Sequence, residues 1–384
     1  MIELGQLLAG PWAGAILGYL GADVVKVEDP AGDPIRTWRV LDPSGTSYWW
    51  RTLARNKRCV AIDLRQLEGQ ALAKRLILGA DVLIENFRPG TMERWGLGPD
   101  VFERERPSLI YARVSGYGQS GPYRDRPGFA AVAEAVGGLR HLTGEPERPR
   151  VRTNLSLGDT LAGLHAAIGV LAALYERDAG GSGRGQVIDT ALYEAVFSVL
   201  EGVVGEHAGA GIVRGPSGGT ITGVVPSNAY PCRDGREVMI GANGLSLFQR
   251  LMRAVGRGDL AEDPELADNP GRVARAAELD AAIAAWTRAR SVGEVVDALV
   301  EAAVPCGPVY DAADMAADPH FRARGLFEEV DGVVVPAIAP KLSRTPGRTR
   351  WAGRARGADT DAVLAERLGL DRAALDALRA RKVI

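Results

Sequence analysis

Asp159 stands in the stretch NLSLGDTLAG (154–163), between a glycine and a long apolar run. Two roles fit an aspartate there. One is structural: a carboxylate just ahead of a helix accepts backbone N–H bonds and is favoured by the helix dipole. The other is chemical: the same setting keeps the carboxylate ionised, and an ionised carboxylate can be a nucleophile. Carboxylates are weak nucleophiles, so the target must be an activated acyl group such as a thioester. The resulting mixed anhydride survives only where water is kept out. Gly158 and Gly163 are expected to leave room for a substrate. The glycine loops at 116–121 and 215–219 are expected to supply a lid and backbone N–H groups for an oxyanion. From the residues alone, the cap is the plainer reading.

Other motifs offer less chemistry. GYGQSG at 116–121 matches a dinucleotide fingerprint, but PYRDRPG follows it where a helix would have to begin. A flexible glycine loop over a ligand is expected instead. GPSGG at 215–219 matches a nucleophile elbow around Ser217, yet the β-branched TITGVVP follows it in place of a helix. The histidines His141, His165, His207 and His320 are dispersed without metal-ligand spacing, and His165 reads as a satisfied core histidine. Cys59, Cys232 and Cys306 suggest neither a disulfide framework nor a zinc site.

The elements that must position these residues follow from the apolar pattern. Near-continuous apolar strands are expected at 23–27, 59–64, 81–85 and 108–114, with helices at 67–79 and 90–95 between them. That alternation predicts an α/β fold with a parallel sheet covered on both faces. Residues 160–177 read as a central helix, apolar almost all round, stopped by GGSGRG at 180–185. The expected domains are a large α/β unit over 1–205 with a C-terminal return over 330–384, a Gly-rich linker over 206–225 and a smaller α+β domain over 226–329. Within these, 245–303 reads as helical, VPCGPV at 304–309 as a turn, 331–337 as β-like and 360–382 as two short amphipathic helices. The 384 residues are 46% hydrophobic and 24% charged, with a formal net charge of −2. No long run of one sign occurs, which argues against nucleic acid or an anionic membrane as partner. Leu7 to Val25 is apolar but carries Pro11, four glycines and Asp23 with no basic residue before Lys26, so a buried helix leading into a strand is expected. The protein is expected to be cytoplasmic.

An ordered series of motifs resembles the family III CoA transferases of the CaiB/BaiF type, which include formyl-CoA transferase and the succinate–hydroxymethylglutarate type. The series comprises LAGPWAG (8–14), LGADVVKVE (20–28), GDPIRTW (32–38), RNKRCVAIDL (55–64) and ADVLIENFRPGTMERWGLG (80–98). IYARVSGYGQSGP (110–122), LGDTLAG (157–163), GRGQVIDTALYEA (183–195), VPCGPV (304–309) and GADTDAVL (357–364) complete it. The resemblance covers nearly the whole chain. It implies a Rossmann-like large domain, an interlocked homodimer and Asp159 as the nucleophile. It also implies ping-pong transfer of CoA through an aspartyl anhydride and an aspartyl-CoA thioester. CoA enters as a thioester substrate, so no separate cofactor and no metal is implied. By the same resemblance, Arg36, Arg65, Asn86, Phe87 and Arg94 occupy CoA-contacting positions. Gly116, Gly118, Gly218 and Gly219 belong to loops around the site, with the segment near 214–223 covering Asp159.

The chain departs from the family pattern at several places. Leu8 stands where formyl-CoA transferase has glutamine, which argues against formyl or oxalate substrates. Asp359 replaces the family's histidine before its threonine. Only MIEL precedes GQLLAGP, where relatives carry several more residues, leaving the native start open. The racemases of the same family use a histidine and an aspartate where this chain has Phe129 and Ala130, and neither of these can move a proton. A CoA transferase acting on an acyl-CoA and a small carboxylic acid is expected, leaning to succinyl-CoA or another dicarboxylyl-CoA. A racemase-like enzyme and a non-catalytic CoA-binding protein are the alternatives.

Overall fold

A computed structural model describes all 384 residues. Six parallel strands form one sheet in the order β3-β2-β1-β4-β5-β6: β1 Ile2–Glu3, β2 Val24–Glu28, β3 Lys57–Ala61, β4 Val82–Glu85, β5 Ile110–Ser115 and β6 Val187–Ala191. The order reverses between β1 and β4, where Ile2 pairs with both Val25 and Leu83. β2, β4 and β5 are buried along their whole length. This is why their sequences are runs of Val, Ile and Leu and not alternating patterns. Alternate residues serve two cores. Val25, Val27, Leu83 and Tyr111 pack with the Leu67–Leu78 helix and with Leu364 and Leu375 near the C-terminus. Val82, Ile84, Ala112 and Val114 pack on the opposite face with Ile16, Ala162, Ala166 and Val170. Helix α1, Ala9–Tyr19, and the long Leu157–Asp178 helix cover that second face.

The α/β fold with a parallel sheet is as expected, and four of its strands fall within a few residues of the expected positions. β6 was not anticipated. Its VIDTA sequence is short, half-exposed and preceded by glycines, so the apolar signal is weak. The 90–95 helix shrinks to a single turn, Thr91–Arg94.

Contacts cluster the chain into two units: Met1–Arg140, Arg152–Gly202 and His320–Ile384 form the first, and His141–Val151 and Val203–Pro319 the second. The second unit has a three-stranded antiparallel sheet of β7 Ser227–Pro231, β8 Glu237–Gly241 and β9 Cys306–Pro308. Its core is built from Phe248, Leu251, Ile283, Val295 and Leu299. Two sequence expectations are corrected here. The segment expected as a linker over 206–225 begins inside a helix, Val203–Ala210. VPCGPV is not a turn: Cys306–Pro308 pairs with Val238–Ile240 as an edge strand, where proline is tolerated.

The C-terminal return finishes the first unit. Asp331 and Gly332 both have positive φ and close a two-residue hairpin between β10 Phe327–Val330 and β11 Val333–Pro336. The helices Thr360–Leu368 and Arg372–Ala380 follow as expected. They meet β3, the end strand of the sheet. Asp359 Oδ2 accepts from Cys59 N at 2.9 Å, Thr360 Oγ1 from Ala61 N at 3.0 Å and Val383 O from Asp63 N at 2.8 Å. An edge with its N–H groups thus satisfied cannot template another strand. Asp359 also pairs with Arg354, so it has a structural role.

Candidate active site

Asp159 is the third residue of its helix, in the first turn, and Ser156 rather than Asp159 stands at the N-cap position. The cap reading is corrected by this geometry. Glu134 acts near the helix start instead: its buried carboxylate accepts from Gly158 N at 3.4 Å. Arg152 donates to the same carboxylate from Nε at 3.2 Å and Nη2 at 3.4 Å, and Arg140 stands 3.7 Å away. Burial, reinforced by the Glu134 charge and opposed by Arg152, pushes Asp159 up to about 7. Placement near a helix start therefore does not keep this carboxylate fully ionised, because desolvation outweighs the dipole. The neighbouring glycines have packing duties. A Cβ on Gly163 would stand 2.7 Å from Ala9 O, and one on Gly158 would stand 3.1 Å from Ala130 O.

Asp159 opens into a cavity of about 160 Å³ that Leu7, Asn86, Phe87, Ser115, Gly116 and Phe129 also line. It sits just beyond the carboxyl ends of β1, β4 and β5, at the reversal of strand order, where open α/β sheets bind ligands. A smaller cavity of about 60 Å³ lies beside it, lined by Asp29, Arg65 and Trp95. Gln6 and Phe87 line both cavities. The Phe87 and Trp95 rings meet edge-on, with centroids 5.1 Å apart. Together they offer an aromatic surface beside an arginine, a setting suited to a nucleotide.

The loop after β1 is held under strain. Leu7 has φ of 60°, rare for a residue with a side chain, and its N–H is shared by both Asp33 oxygens at 3.2 Å each. Asn86 brackets Gln6, accepting from its N–H at 2.7 Å and donating to its carbonyl at 2.8 Å. A Cβ on Gly5 would stand 2.9 Å from Asn86 Oδ1, which is why glycine precedes the loop. Beneath it, buried Lys26 bridges Glu3 and Asp33, each at 3.1 Å, and Lys57 reaches Glu3 at 2.8 Å and Pro11 O at 2.6 Å.

The expected CoA-contacting residues divide. Arg65 and Phe87 line the cavities; Arg65 is tied to Asp63 at 2.7 Å and is otherwise exposed. Asn86 lines the Asp159 cavity, but its amide is committed to Gln6. Arg36 does not line either cavity. It forks onto Glu28 at 2.8 and 2.6 Å, donates to Arg354 O at 2.9 Å and stacks 3.6 Å from the Trp50 ring centre. Arg94 is exposed and donates to Thr91 Oγ1 at 2.9 Å. In the 116–121 loop, Gly116 passes so close to Gly128 that a Cβ would meet its Cα at 3.0 Å, while Gly118 turns with φ of 85°. No helix starts between this loop and Ala130, so the loop is not a dinucleotide fingerprint. Gly218 and Gly219 lie in the second unit, in a turn where Ser217 Oγ donates to Thr220 O at 2.7 Å. Ser217 is not on a strand-to-helix elbow. His165 contacts Leu161 O at 2.8 Å and Ser198 Oγ at 3.2 Å.

A sequence profile of CoA-transferase family III matches residues 1–360. The chain belongs to this family. It is 44% identical to the succinyl-CoA–D-citramalate CoA-transferase of Chloroflexus aurantiacus, over all of this chain and 96% of that one. It is 34% identical to the succinate–glutarate CoA-transferase of Agrobacterium fabrum, covering 97% of this chain and 96% of that one. Among solved structures, a CaiB/BaiF family protein from Brucella suis superposes with a TM-score of 0.86 at 33% identity, over 95% and 97% of the two chains.

Several residues of this candidate site escaped the sequence reading. Glu134 carried a signal: it is the single charge in the apolar helix AAVAEAV, a place where a buried carboxylate needs a reason. Trp95 had one too, in MERWG beside the ENF motif. Leu7 had none, because the Asp33 carboxylate that accepts its N–H is distant in sequence.

Proposed function

We propose that the protein transfers CoA from succinyl-CoA, or another dicarboxylyl-CoA, to a small carboxylic acid, with Asp159 as covalent carrier. The single observation that carries this reading is the Asp159 carboxylate, facing a cavity at the strand-order reversal that Phe87 connects to Arg65 and Trp95. Full-length similarity to transferases named for succinyl-CoA supports the donor. The names of those relatives, which include D-citramalate, L-malate and glutarate, favour a dicarboxylic acceptor.

The chemistry runs in four balanced steps. The ionised Asp159 carboxylate attacks the thioester carbonyl, and the CoA thiolate leaves a mixed anhydride. The thiolate attacks the aspartyl carbonyl, giving an aspartyl-CoA thioester and releasing the donor acid as its carboxylate. The acceptor carboxylate attacks this thioester and expels the thiolate again. The thiolate then takes the new acyl group and restores the Asp159 carboxylate. No net proton moves, so no general acid or base is required. The group that must be tuned is Asp159, through Glu134 and Arg152. CoA stays bound throughout, so its binding energy serves every step. Self-association accompanies this reading: Leu164, Ile168, Leu171 and Tyr175 are exposed on one face of the Asp159 helix, a surface suited to a second copy.

Asp159→Asn is expected to abolish transfer while CoA binding persists. Mass spectrometry of the wild type after incubation with succinyl-CoA should find CoA on the peptide containing Asp159. Normal turnover by the asparagine variant would sink the assignment.

A further inference from the structure

Two guanidinium groups converge on one buried carboxylate next to the nucleophile. Arg152 reaches Glu134 at 3.2 and 3.4 Å and Ser156 Oγ at 3.5 Å, and Arg140 lies 3.7 Å from Glu134. These contacts are long, since charge-assisted pairs close to about 2.7–2.9 Å. Arg152 keeps 38% of its side-chain surface, so donors remain for a further partner. It is also near enough to Asp159 to oppose the effect of Glu134 on that carboxylate.

With Asp159 in its ionised, attacking form, the charges of this cluster balance before reaction. Asp159 and Glu134 offset Arg140 and Arg152. In the aspartyl-CoA thioester Asp159 has lost its charge and the CoA sulfur carries none. One positive charge is then left over in a partly dry site, where an unpaired charge is costly. The reacting carboxylate of an incoming acid cannot be its lasting partner, because it too loses its charge on forming the anhydride. A second carboxylate on the same molecule keeps its charge throughout.

We propose that Arg152 is a specificity-determining residue that pairs with the distal carboxylate of a dicarboxylic substrate whose other carboxyl group reacts at Asp159. This rests on the reading of Asp159 as covalent carrier. Glu134 holds the guanidinium in place when the site is empty and yields part of it to the substrate. Monocarboxylic acids of the same length leave Arg152 with Glu134 alone and gain nothing from it.

The test compares glutarate with pentanoate as acceptors from succinyl-CoA, which differ only in the distal carboxylate. Arg152→Gln is expected to lower kcat/KM for glutarate roughly 10- to 100-fold and to change that for pentanoate less than about threefold. Arg152→Lys, which keeps the charge but not the fork, should retain part of the preference and covers the case in which the glutamine variant does not fold. Where pentanoate turnover is too slow to measure, the inhibition constants of the two acids give the same comparison. Equal losses for both acids would mean that Arg152 acts only through Asp159, and would overturn the proposal, as would an unchanged ratio. The CoA adduct on wild-type Asp159 is read in the same experiment. Its absence would remove the parent reading, whereas its presence with an unchanged ratio would remove this inference alone.

Discussion

Desolvation and a neighbouring carboxylate hold Asp159 protonated through most of the acidic range, with a pKa pushed up to about 7. In the proposed mechanism the attacking form is the ionised one, so kcat/KM for the acyl-CoA should rise with pH up to about 7. Glu134→Gln removes the like charge and should move that limb toward the ordinary carboxylate range, as a pH–rate profile would record. The same shift has a stability sign. The folded-state value lies above the unfolded one, so the native chain binds the extra proton between the ordinary aspartate value of 3.8 and about 7. This contribution is full below that window and is lost as pH rises through it. Above it, Asp159→Asn should be more stable than wild type, on the order of 1–2 kcal/mol after allowance for partial exposure, measured by urea unfolding. Asp159, which lines the cavity, could be singled out in the sequence because its motif is local. The cluster that tunes it could not, since Glu134, Arg140 and Arg152 are brought together only by folding.

Helix against helix, the site depends on close approach. α1 and the Asp159 helix touch where Gly163 meets Ala9 and Trp12. Gly163→Ala would force a Cβ to within 2.7 Å of Ala9 O. It should cost roughly 1–3 kcal/mol, seen as a lower urea midpoint, and should also weaken activity because α1 follows directly on the Gln6–Leu8 loop. At this scale the sequence was informative where burial is complete. The strands β2, β4 and β5 announce themselves as apolar runs, and the DG of the β10–β11 hairpin sits in a recognisably β-like stretch. It failed where an element is half-exposed or bears proline, as in β6 and β9, whose pairing partners decide their conformation. The arginines divide: Arg65 lines a cavity, whereas Arg36 and Arg94 do not. Arg36 has the right chemistry for phosphate, but Glu28 and Trp50 claim it, and no local pattern reveals that competition.

The whole molecule leaves a long apolar face uncovered. Ile168 is 63% exposed and Tyr175 73% exposed on a helix that is long and apolar enough to cross a membrane by length and composition. Its other face packs on the sheet and α1, so the exposed residues suit a second copy of this chain. Sedimentation should find a homodimer, and Ile168→Glu should shift it toward monomer; an unchanged wild-type monomer would count against self-association. The meeting of β3 with the C-terminal return carries a different consequence. Asp359 and Cys59 are separated by 300 residues, and Arg381 reaches Glu68 across 313. Ribosomes add roughly 5–20 residues per second, so the edge of the sheet waits on the order of 15–60 s for its cover during synthesis. The nascent chain must pass that interval with a bare strand edge, the state in which pairing with another chain is open to it.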